Sequence, residues 1–113
     1  MEARGEMTAH EILKAAQALG EERGWHEKGV VARDGVGVCI MGASNVVATG
    51  DPRKRPRRLA PEHMKALRAL AKCAGARDFT FISWWWDVAS PAERERVLDR
   101  AIEVTAPAEA AGR

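Results

Sequence analysis

A chain of 113 residues, 46% hydrophobic and 30% charged, has the make-up of one soluble globular domain. Such a chain can bury about 65% of its unfolded surface, so neither disulfides nor a structural metal are needed to hold a core. No apolar run is long enough to span a bilayer and MEARGEMTAHE lacks the apolar segment of a signal peptide, so a cytoplasmic protein without a membrane role is expected.

In chain order, Thr8 followed by Glu11 has the form of a capping box, and Ile12, Ala15, Ala16 and Leu19 share one face, which predicts a helix over 8–23 stopped by Gly24. Trp25 stands where a large apolar residue folds back on the last helical turn. Asp34-Gly35 between β-branched residues predicts a short β-hairpin over 30–38. A second helix is expected over 39–48, with Cys39, Ala43, Val46 and Val47 on its apolar face; a strand running through Met41 is the alternative reading.

The formal charge of +2 is unevenly spread: DPRKRPRR, residues 51–58, holds five cations against one acid. Its prolines and mutual repulsion predict an extended, exposed loop. Pro61 in a first helical position, the stripe Met64, Leu67, Leu70, Ala71 and Ala74, and Gly75 as a stop predict a helix over 61–74. DFTFISWWWD reads as an extended segment over 79–87, apolar on both faces. Ser90, Pro91 and Glu93 then open a helix over 91–105 that buries Val97, Leu98, Ala101 and Ile102, with Glu93–Arg96 and Arg100–Glu103 pairs outside.

The expected fold is therefore mainly α, with a small α+β domain as the alternative: four helices, one hairpin and the tryptophan segment crossing the core. Residues 1–7 and 106–113 are expected to be flexible flanks of a single domain over 8–105.

Several motifs keep a family-like order: Gly24-Trp25, Ala32-Arg33-Asp34, Cys39-Ile40-Met41-Gly42-Ala43, Trp86-Asp87 and Asp99-Arg100-Ala101-Ile102. In this order the chain resembles a group of short uncharacterised proteins of actinobacteria and their phages, catalogued as a domain of unknown function. It departs where that group tends to have Trp-Asn-Asp and this chain has Trp85-Trp86-Asp87, and where a longer insert usually precedes the cysteine. The resemblance implies an architecture and no activity.

Three surfaces carry the functional expectations. Trp84, Trp85 and Trp86 cannot all point one way, so at least one is a candidate anchor for a protein partner or a second copy. Arg53, Lys54, Arg55, Arg57 and Arg58 suit an acidic partner or, alternatively, the phosphates of a nucleic acid. A Cys-dependent enzyme would centre on Cys39 at a helix start, with His26 or His63 as base and Asp87 orienting it, but no catalytic signature surrounds that cysteine. No enzyme activity is expected. Nor is a cofactor or metal: His26, Cys39, His63 and Cys73 are zinc-type ligands without zinc-type spacing, and His63 is expected on an exposed turn.

Overall fold

Helix α1, Ala9–Arg23, starts on Thr8, whose hydroxyl accepts from the Glu11 amide while the Glu11 carboxylate accepts from the Thr8 amide. The computed structural model describes residues 7–25, 37–54, 58 and 60–107. Four further helices follow: α2, Ile40–Thr49; α3, Pro61–Ala74; α4, Ile82–Val88; and α5, Pro91–Val104. A 3-10 turn, Phe79–Phe81, leads into α4.

The domain is mainly helical, as the periodicity indicates, with five helices rather than four among the described residues. Helix α1 lies at the centre, packed on α2, α3 and α5. Leu13, Ile40, Leu70, Ile82, Trp86 and Val97 are almost fully buried, so all five helices supply the core. Gly75 ends α3 in the left-handed region at φ 74°, as its place after the apolar stripe requires.

Two expectations are corrected among the described residues. The segment 79–87 is helical, not extended. Asp78 accepts from the Thr80 amide and starts the turn, after which Ile82, Trp85 and Trp86 recur at helical spacing on the inner side. A short run that is apolar at nearly every position fits a two-sided strand and a helix equally well, so periodicity could not choose. The start of the basic loop is also compact rather than extended. Thr49 Oγ1 lies within hydrogen-bonding distance of the Asp51 and Lys54 carbonyls, Asn45 Nδ2 donates to the Pro52 carbonyl at 2.9 Å, and Pro52 is buried.

Residues 30–36 of the expected hairpin lie outside the described residues. The neighbouring Val38 makes an isolated parallel bridge with Trp25, its amide donating to the Gly24 carbonyl at 3.0 Å. No strand is present among the described residues. Trp25 folds back as expected, and its ring lies so close over Gly20 that a Cβ there would fall inside it.

Candidate functional site

Helix α4 divides its three tryptophans between two environments. Trp86 and Trp85 are buried at 1% and 7% exposure, whereas Trp84 is 65% exposed. Inside, the Trp86 ring lies 4.7 Å from Trp25 and 6.1 Å from Trp85, centroid to centroid, both at tilted geometries that aromatic quadrupoles favour. Arg94 of α5 is buried against them. Its Nε donates to the Trp86 carbonyl at 2.7 Å, and its guanidinium carbon stands 4.8 Å over the Trp86 ring. This satisfies one of the carbonyls left open at the end of α4 and gives a buried cation an aromatic face.

Outside, Trp84 is flanked by exposed Phe81 and Val88. Positions 81, 84 and 88 are separated by three and four residues, which places them along one face of the helix and its leading turn. Phe81 and Val88 were not singled out from the sequence. Their signal was available once the helical period replaced the extended one.

A second polar cluster joins α2 to α3. Ser44 Oγ and His63 Nε2 share a hydrogen bond of 2.5 Å, and both side chains are buried. His63 is thus not on an exposed turn. Within the helix that Pro61 opens, His63 falls on the inner side with Ala66 and Leu67. Burial holds its pKa below the ordinary 6.5, favouring the neutral ring. Beside Ser44, a cavity of about 120 Å³ opens between Met41, Asn45, Leu67, Phe79, Thr80 and Ser83. None of these residues is charged, so the cavity presents hydrogen-bonding groups on apolar walls.

Cys39 takes the capping position of α2, its sulfur accepting from the Gly42 amide at 3.5 Å. Burial pushes its thiol pKa up from the usual value, with the Asp87 charge acting in the same direction and backbone hydrogen bonds acting against it. His63 is engaged by Ser44 rather than by this sulfur. Cys73 is a half-buried free thiol. Among the described residues no three His, Cys, Asp or Glu side chains gather as metal ligands; His26 lies outside the described residues. Of the loop cations, Arg53, Lys54 and Arg58 are exposed, while Arg55 and Arg57 lie outside the described residues.

No described helix is long and apolar enough to cross a membrane. No curated protein and no solved structure matches the chain. A family profile does, over residues 4–104, a span that contains all five helices and the tryptophan cluster, and the chain therefore belongs to the family of unknown function DUF6197.

Proposed function

We propose that this domain is a non-catalytic binding module that presents the outer stripe of α4, Phe81, Trp84 and Val88, to a protein partner. The observation that carries this reading is the 65% exposure of Trp84 beside two tryptophans that the core absorbs. An indole held outward on a helix that its neighbours anchor is a preorganised contact, because little rotamer and backbone freedom remains to be lost on binding. Anchors spaced by three and four residues match the helix-in-groove mode of recognition, so the partner offers an apolar groove.

The stripe exposes on the order of 350 Å² by typical aromatic and aliphatic areas. Two such stripes back to back would bury roughly 700 Å², below the ~1,200 Å² of a stable interface, which favours a larger partner over a second copy. Arg53, Lys54 and Arg58, with Arg55 and Arg57 between them in sequence, suit an acidic rim on that partner and speed its approach. The capping role and raised pKa of Cys39 support a structural thiol over a nucleophile. A cytoplasmic accessory role in an actinobacterium or its phage is the setting this reading adopts.

Photo-crosslinking tests it. Benzoylphenylalanine at position 84 should trap a protein that the same group at position 104, also on an exposed apolar residue, does not. With that protein purified, Trp84→Ala should weaken binding by about 30-fold or more, the effect of a hot-spot aromatic. Equal trapping at both positions, unchanged affinity of the variant, or adducts formed only between copies of this chain would overturn the proposal.

A further inference from the structure

The outer face of α3 carries a charge pattern that the α4 stripe does not use. Between Pro61 and Ala74 the exposed positions are Pro61, Lys65, Arg68 and Lys72. Steps of three and four residues put the three cations in one row, rising about 4.5 and 6 Å along the axis at 1.5 Å per residue. Beyond the helix end, Arg77 joins Arg68 and Lys72 around an open depression of about 570 Å³, which Phe79 and Thr80 also line.

Among the described residues this row lacks the ion pairs seen on α5. On α5 the exposed Arg96 and Arg100 each hold a carboxylate three residues away, Glu93 at 2.6 Å and Glu103 at 2.9 Å. Among the described residues none of Lys65, Arg68, Lys72 and Arg77 forms an ion pair, although the Arg77 charge acts on the adjacent Asp78 carboxylate. The two acids that adjoin the row in sequence, Glu62 and Asp78, accept hydrogen bonds from elsewhere. The Glu62 carboxylate accepts from the Ala9 amide at 2.8 Å, and the Asp78 carboxylate, which also lines the depression beside Arg77, accepts from the amide and hydroxyl of Thr80. Like charges at such spacings oppose helix formation, so the row is a local cost that an external polyanion would relieve.

We propose that this row and the depression at its end form a binding site for single-stranded nucleic acid, independent of the α4 stripe. A linear array of cations matches the regular charge of a phosphate backbone, and the half-buried ring of Phe79 at its end offers a face for a base. The row itself has no exposed aliphatic or aromatic side chain that would anchor a protein. Contacts are to phosphates and to one stacked base, so the site is indifferent to sequence. The domain would then join a protein, held on α4, to a nucleic acid, held on α3.

The test is a fluorescence titration of the full chain with a fluorescein-labelled 20-nucleotide oligothymidylate, which requires no protein partner and so stands or falls apart from the α4 reading. Four phosphate contacts on a single strand give a log–log salt slope of about −2.8, so affinity should fall about 50-fold between 50 and 200 mM salt. The triple variant Arg68→Gln, Lys72→Gln, Arg77→Gln should lower affinity at 50 mM salt by at least about tenfold and flatten the slope by about two. Its circular dichroism and melting temperature, checked in parallel, should match or exceed the wild type.

A control that neutralises Arg96 and Arg100 also removes surface cations, and should leave binding within about twofold. The proposal is overturned if the wild type does not bind at 50 mM salt or if the triple variant binds as well as the wild type. It is equally overturned if the α5 control loses as much, or if polyglutamate of matched charge competes as effectively as unlabelled oligothymidylate.

Discussion

The two sides of α4 hold chemically similar residues in opposite environments. On the inner side, Trp85 and Trp86 meet Trp25, Ile82 and the buried Arg94, and the rings are locked by packing and by a hydrogen bond to the helix end. On the outer side, Trp84 stands 65% exposed between Phe81 and Val88. Three adjacent tryptophans thus differ in burial through the helical period alone. Residue type says little about whether a ring builds the core or stands in solvent; register says nearly everything.

That contrast can be broken at its strongest point first. Trp86→Ala removes a ring that contacts both other inner tryptophans, and should cost about 3–5 kcal/mol of stability in a urea titration, the range for buried aromatics. A loss within the surface range would show that the inner side is not the core. Gly20→Ala tests the same cluster from α1, because the added methyl must displace the Trp25 ring from its place over Gly20 and beside Trp86. A cost of about 1–3 kcal/mol is expected, typical of overpacking, and tryptophan emission should shift with it.

Acid probes the α2–α3 junction beneath the 3-10 turn. His63 is more easily protonated in the unfolded chain than in the folded one, so unfolding takes up a proton as pH falls below the ordinary 6.5. The stability tied to neutral His63 is present above that pH and is lost as pH falls through the lower folded value. His63→Gln should reduce stability at pH 7.5 but flatten the decline between pH 6.5 and 5, as read by melting temperature across that interval. An unchanged profile would mean that the ring is not buried as described.

Alkylation by iodoacetamide at pH 7.5 should label half-buried Cys73 well before Cys39, whose thiol is buried and held protonated. Mass spectrometry of tryptic peptides reads the order directly, and rapid labelling of Cys39 would reopen the nucleophile hypothesis. The smallest stability effect belongs to the outer side: Trp84→Ala should stay within about 0.5 kcal/mol of the wild type. A large loss there would make Trp84 a core residue and remove the basis for a docking stripe.

Much of the helical frame was legible in the sequence because local signals agree with one another. Thr8 with Glu11, Pro61 with Gly75, and Ser90 with Pro91 mark ends that coincide with the observed ones to within a residue. The tryptophan segment was misread because the run from Phe79 to Val88 is apolar at too many positions to show a period, and its helix start depends on Asp78 bonding its own neighbours. Ser44 and Arg94 were not placed, and His63 was placed on an exposed turn, because each is buried by a partner in another element: Ser44 and His63 meet across α2 and α3, and Arg94 reaches back to Trp86. The α3 cation row was readable as a spacing of charges. It gained meaning only when the paired acids of α5 provided the contrast.

The sidedness of α4 is tested most directly by fluorine NMR of the protein labelled with 5-fluorotryptophan, each resonance assigned by a Trp→Phe substitution. On changing the solvent from water to deuterium oxide, the Trp84 signal should show the largest isotope shift of the four and the Trp86 signal next to none, with Trp85 close to Trp86. Equal shifts at Trp84 and Trp86, or a protected Trp84, would contradict the division between a buried and an exposed side.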